Sequence, residues 1–253
     1  MKKTIFLMLA FFTAVFAQSE LKYEMVKTHK AYTDPASPRD TLLVFILEYP
    51  EFDDSGVNKK LAKFMNQQVM KIYTDPALGG GDLKKVMEDF KNYREDSEGS
   101  PFATGWYIEK SISYDAPVSG IGTLTYSGYA YTGGAHGGSW VYYYNYDLKK
   151  EKKLKLTDVL VKNYQKTLLT VGEKLFRQLK GLAPGQSLEG DFWFENNKFH
   201  FNDNYLFTAK GLVFYYNEYE ISCYACGTTE LLIPWKDIKT LVIKDGPLGK
   251  LAN

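Results

Sequence analysis

An alternating pattern runs through the stretch Trp140-Val141-Tyr142-Tyr143-Tyr144-Asn145-Tyr146-Asp147. Successive side chains of a β-strand point to opposite faces, so the even-numbered positions place four aromatic rings on one face. The odd-numbered positions place a valine, a tyrosine, an asparagine and an aspartate on the other face. The stretch therefore predicts a strand with one wholly aromatic face.

Further strands and three amphipathic helices are predicted around this stretch. The strand pattern recurs at 22–31, 41–49, 106–113, 123–131, 204–208, 212–216 and 228–233. Apolar stripes with the helical period run from Val57 to Ile72, where Ser55 could cap the helix, from Leu83 to Tyr93, and from Tyr164 to Leu179 before Gly181. Strands and helices occur in runs without strict βαβ alternation. The predicted fold is α+β, a mainly antiparallel sheet with about three helices packed against it.

The N-terminal segment has the features of a secretory signal peptide. Lys2 and Lys3 precede an almost wholly apolar run from Ile5 to Phe16, and Ala17 supplies the small residue of a cleavage site. A retained anchor is the alternative, but the apolar run is shorter than the roughly 20 residues that span a bilayer. We therefore expect residues 1–17 to be removed after Ala17, leaving a periplasmic or secreted chain without a membrane span. Within it we expect an N-terminal region at 18–100 and a C-terminal domain at 101–253.

Composition narrows the class of partner. The chain of 253 residues has a formal net charge of +1 and is 16% aromatic. Nucleic-acid-binding domains usually carry a basic stripe, so this charge argues against a nucleic-acid partner. The basic run at 149–155 is interpreted as a solvated hairpin tip.

Glycines surround a single histidine in the block Tyr131-Thr132-Gly133-Gly134-Ala135-His136-Gly137-Gly138. An imidazole in a sharply turning backbone could act as an acid or base, although a structural turn is the simpler interpretation. Glu218 and Glu220 would lie on one face of an extended segment and could form a carboxylate pair. The three histidines, His29, His136 and His200, show no metal-ligand spacing, so we predict neither a metal nor a cofactor.

The only cysteines are Cys223 and Cys226. Outside the cytoplasm, a close pair favours a disulfide over a reduced redox motif, and two free buried thiols are the alternative. An extended strand holds residues i and i+3 about 10 Å apart, which is too far for a disulfide. The pairing therefore requires a turn between the two cysteines.

Several motifs resemble one bacterial extracytoplasmic domain family of unknown function. They are the glycine block, Asn145-Tyr146-Asp147, and the segments at 154–158, 211–221 and 230–235. This family forms the extracytoplasmic part of the lysozyme-binding anti-sigma factor RsiV. The segment from Glu48 to Ile72 is similar to a companion domain that also occurs in the peptidoglycan deacetylase PdaC.

The resemblance implies an exported cell-envelope binding module, with a lysozyme-like hydrolase or a cell-wall glycan such as peptidoglycan as its ligand. A hydrolase or deacetylase acting through His136, with Glu218 and Glu220, is one alternative, and a structural envelope protein is another. The candidate ligand contacts are Tyr131, Gly133, Gly134, His136, Asn145, Asp147, Tyr219 and Glu220. In the leading interpretation none of these residues is catalytic.

Overall fold

The computed structural model describes residues 21–33, 41–78, 83–97 and 104–251. The predicted signal peptide lies outside these residues. A six-stranded sheet in sequence order contains β1 (Tyr23–Thr33), β2 (Thr41–Phe52), β3 (Trp106–Val118), β4 (Ile121–Tyr131), β5 (Gly138–Asp147) and β6 (Lys152–Lys153). Only β2 and β3 pair in parallel, and the other neighbours are antiparallel.

Two helices occupy the connection between the parallel strands, α1 (Lys59–Tyr73) and α2 (Leu83–Asp96). Parallel neighbouring strands need such a crossover, because a tight turn reverses the chain direction and joins only antiparallel strands. Met65 of α1 and Phe90 of α2 are buried against the sheet beside Ile112 and Ile108 of β3. The aromatic face predicted for β5 packs on the α1 side, where Tyr146 is buried. The sheet also joins β2 to β3 across the boundary predicted at residue 100.

A second, three-stranded antiparallel sheet contains β7 (Tyr205–Phe207), β8 (Gly211–Tyr216) and β9 (Thr229–Pro234). The helices of this part of the chain are the short α3 (Leu156–Val159), the long α4 (Tyr164–Leu179) and the short α5 (Trp235–Ile238). Phe176 of α4 packs in the same core as Phe214 of β8, and both are fully buried. The α+β prediction and the mainly antiparallel pairing are confirmed.

The start of α1 differs from the predicted start. Val57 is 95% exposed and precedes the helix, whose N-cap is Asn58. Ser55 does not cap the helix, because it lies three residues before the N-cap and its hydroxyl donates to the carboxylate of Asp53 at 2.5 Å. That local turn holds Ser55 away from the first helical turn, so the predicted cap was wrong. Leu179, at the end of the α4 stripe, is likewise 54% exposed.

Asparagine side chains join the two sheets at the outer edge of β5. The Asn204 amide oxygen accepts from the Tyr143 N–H at 2.9 Å, and its amide nitrogen donates to the Val141 carbonyl at 2.7 Å. Asn217 accepts from the Val141 N–H at 2.7 Å in the same manner. These amides take the place of a neighbouring strand, because an unpaired edge would otherwise present free backbone groups.

Candidate functional site

The glycine block forms the connection between β4 and β5. Gly133 and Gly134 have φ values of 103° and 87°, a region that residues with a Cβ rarely adopt. The Tyr131 hydroxyl donates to the Gly134 carbonyl at 3.0 Å and closes the loop on itself. The loop therefore presents the residues that follow it, above all His136, in a fixed direction.

His136 is exposed and is held by contacts on both ring nitrogens. Its Nδ1 lies 2.8 Å from the Gly137 carbonyl, and its Nε2 lies 3.2 Å from the Tyr219 hydroxyl. Its ring stacks on Tyr224, with the ring centres 3.7 Å apart and the planes at 14°. The imidazole is thus one member of an aromatic group.

Four rings make up this group, which we call the aromatic row: His136, Tyr224, Tyr219 and Trp193. Tyr219 stacks with Tyr224 at 5.6 Å between centres and with Trp193 at 6.3 Å. Trp193 is 52% exposed and Tyr219 is 53% exposed. The row combines nearly parallel rings with two half-exposed aromatic side chains, and a contiguous exposed aromatic surface is typical of an interaction site.

A disulfide fixes the segment that carries Tyr224. Cys223 and Cys226 are bonded across a 3₁₀ turn at Tyr224–Cys226, with their Cα atoms 5.2 Å apart. The predicted disulfide is confirmed, and so is the turn that it requires. Tyr224 lies inside this small loop, so the covalent link limits how far its ring can move away from His136.

Glu218 and Glu220 do not form the predicted one-faced pair. The segment turns at Tyr219, which has a φ of 63°, so the extended geometry on which the pair depended is not present. Glu218 accepts from the Ser139 N–H of β5 at 3.2 Å. Glu220 accepts from the Asn202 amide at 2.6 Å and from the Asn217 N–H at 2.8 Å. Both carboxylates therefore support the scaffold that positions Tyr219.

Two other candidate contacts lie far from the row. Asn145 is six residues along β5 from Ser139, a distance of about 20 Å. Its side chain is buried and bonded to Thr123 and to the Tyr205 carbonyl. Asp147 is also buried and accepts from two backbone N–H groups in the turn after β5. The structure thus brings together Tyr131, Gly133, Gly134, His136 and Tyr219, and separates them from Asn145 and Asp147.

Sequence reasoning did not single out Trp193 or Tyr224. Tyr224 had a usable signal, since it lies between the two cysteines. Trp193 had none, because it belongs to an irregular segment whose backbone N–H reaches the Ile221 carbonyl, 28 residues away, at 2.9 Å. Among the described residues, no group of three or more His, Cys, Asp or Glu side chains could hold a metal ion.

Comparisons with known proteins divide the chain into two matched regions. Residues 157–236 match the model of DUF3298, a protein family of unknown function, and residues 39–139 match the model named deacetylase PdaC. A comparison with curated proteins gives no match. No helix in the described part of the chain is long and apolar enough to cross a membrane.

Two solved structures share the fold. A DUF3298 family member from Bacteroides fragilis NCTC 9343 is 19% identical, with a TM-score of 0.73, over 92% of this chain and 97% of that one. A DUF3298 family protein from Pseudomonas aeruginosa PAO1 is 18% identical, with a TM-score of 0.65, over 88% and 95%. Residues 157–236 are therefore similar to the DUF3298 family and residues 39–139 are similar to the PdaC model, on a fold shared with two DUF3298 structures.

Proposed function

We propose that the chain is an exported, non-catalytic binding module of the cell envelope that holds a cell-wall glycan on the aromatic row. The two matched regions indicate a cell-envelope-associated module, and the PdaC match favours a role connected with glycans. The observation that carries the proposal is the stack of half-exposed, nearly parallel rings. Sugar rings present apolar C–H faces that pack on flat aromatic surfaces of this kind.

The row is rigid before any ligand arrives. The disulfide restrains Tyr224, the Glu218 and Glu220 hydrogen bonds fix the turn that carries Tyr219, and His136 bridges the two tyrosines. Binding to a preformed surface loses less conformational entropy than binding to mobile side chains. This arrangement supports recognition of a ligand surface.

The geometry of His136 favours binding over catalysis. Its ring nitrogens contact a backbone carbonyl and a tyrosine hydroxyl, and both nearby glutamates are hydrogen-bonded elsewhere. An acid–base catalyst should lose about a hundredfold or more in turnover when its titrating group is removed. We expect the variant H136A to keep its fold and to lose ligand affinity only modestly, by about 1 kcal/mol for one hydrogen bond. Glycan turnover abolished in this variant, at unchanged thermal stability, would favour the enzyme instead.

A lysozyme-like protein is the second candidate ligand, because exposed tryptophan and tyrosine side chains dominate protein interfaces as well. Co-sedimentation with purified peptidoglycan and capture on immobilised lysozyme separate the two. We expect retention by peptidoglycan in the first assay. Retention by lysozyme alone would assign the row to a protein partner, and retention by neither would leave the structural-protein alternative.

A further inference from the structure

A cleft of about 680 Å³ lies beside the outer edge of β5 and contains none of the rings of the aromatic row. Its floor is residues 142–145 of β5. One side is formed by residues 153–157, after the hairpin tip, and the other by residues 202–205 together with Glu220. Of these residues, only Asn145 and Glu220 were predicted from the sequence as ligand contacts.

Side chains of opposite charge line this cleft, with Lys153 and Lys155 on one segment and Asp203 and Glu220 on the others. The Lys153 ammonium lies over the Tyr144 ring, 5.0 Å from its centre. Asp203, on the other side, is exposed. Within the described ranges, neither Lys153 nor Asp203 forms an ion pair, whereas the neighbouring Lys152 is paired with Asp158. Glu220 adds negative charge on the Asp203 side, since both of its hydrogen-bond partners are neutral.

Most uncharged polar groups of the cleft are either amides that are already hydrogen-bonded within the protein or tyrosine hydroxyls. The Asn145 and Asn204 amides are bonded to backbone groups of β5, β7 and β8. Burial raises the pKa of Tyr144 to about 12. Burial, with a smaller contribution from Asp203, raises the pKa of Tyr205 to about 12 as well. These hydroxyls are therefore neutral at physiological pH, and the unpaired charges are the groups most available to a ligand.

We propose that this cleft binds a short peptide through its free termini, with the ammonium at Asp203 and Glu220 and the carboxylate at Lys153. A zwitterion complements unpaired charges of opposite sign on the two sides, and charge-assisted hydrogen bonds are the strong ones. The tyrosine rings of the floor and sides supply apolar surface for small side chains. A neutral sugar would satisfy neither charge.

This site does not rest on the glycan proposal, because it uses no ring of the aromatic row. Glu220 also supports the turn that carries Tyr219 and is therefore left unchanged in the tests. The probe is trialanine with free termini, compared with N-acetyl-trialanine and trialanine amide, with affinities measured by titration calorimetry on the whole mature chain. Each cap removes one charged contact and is expected to weaken binding about tenfold.

Variants assign each terminus to its partner. D203N should reduce the preference for the free over the acetylated peptide, with Glu220 retaining part of it, and K153M should reduce the preference for the free over the amidated peptide, with Lys155 retaining part of it. K174M, which removes an exposed lysine from α4, and W193A, which alters the row, should keep both preferences. Equal affinity for free and capped peptides, no measurable binding of free trialanine, or unchanged preferences in D203N and K153M would overturn the assignment.

Discussion

Removing the Asn204 side chain tests how the two sheets are joined. Asn204 is only 7% exposed, and its amide makes three hydrogen bonds to backbone groups: the Tyr143 N–H, the Val141 carbonyl and the Tyr215 carbonyl. In the variant N204A the Tyr143 N–H loses its partner, while the Val141 carbonyl keeps the Asn217 amide at 3.2 Å. A net hydrogen bond contributes about 1 kcal/mol, and a buried orphan donor costs about 1–3 kcal/mol. We expect the free energy of unfolding to fall by about 3 kcal/mol.

Urea unfolding followed by tryptophan fluorescence measures this loss. We expect a lower midpoint with an unchanged slope, because the surface exposed on unfolding stays the same. For a chain of this size, the melting temperature should fall by about 6–12 °C. T157A, an exposed threonine in α3, is the control and should change stability by less than about 0.5 kcal/mol. If N204A matched this control, the asparagines would not substitute for a strand at the β5 edge.

Three further predictions concern the loop, the disulfide and alkaline pH. G134A should destabilise the protein by about 1–2 kcal/mol, because Gly134 has a φ of 87°. G138A is the control, since an added Cβ meets no atom at either position and only Gly134 has a positive φ. Thermal melting of the two variants compares their stabilities. Reducing the Cys223–Cys226 disulfide should lower the free energy of unfolding by about 2 kcal/mol, because the unfolded chain regains the entropy of the opened loop. Reduction should also weaken ligand binding. Equal urea midpoints with and without reductant would contradict the predicted loss of stability. Burial raises the pKa of Tyr205 to about 12 in the folded state. The resulting contribution to the free energy of unfolding is fully present below about pH 10 and is lost as the pH rises toward about 12. A free energy of unfolding that stays constant across that range would contradict the burial of its hydroxyl.

Regular elements could be predicted from the sequence because their periodicity reports burial directly. The third predicted helix, α4, begins and ends at the predicted residues, Tyr164 and Leu179, and the alternating rings of β5 share one face as predicted. The start of α1 could not be predicted, since the Asp53–Ser55 hydrogen bond competes locally with capping.

Only part of the candidate site could be predicted from the sequence. The turns at the glycine block and at the cysteine pair could be predicted, because glycine adopts positive φ readily and a disulfide requires its two cysteines to lie close together. The left-handed conformation of Tyr219 carries no residue signature, and it separates Glu218 from Glu220. Trp193 reaches the row through a long-range backbone hydrogen bond that no local pattern encodes.

The dissociation constant for a soluble cell-wall glycan oligomer tests the central claim most directly. Each exposed ring should contribute about 1 kcal/mol, so W193A combined with Y219A should weaken binding about thirtyfold. L179A removes one apolar side chain outside the row that is as exposed as Trp193, at 54% against 52%, and it should bind as the unaltered chain does. A double variant that folds normally and keeps full affinity would contradict the assignment of the aromatic row as the ligand-binding surface.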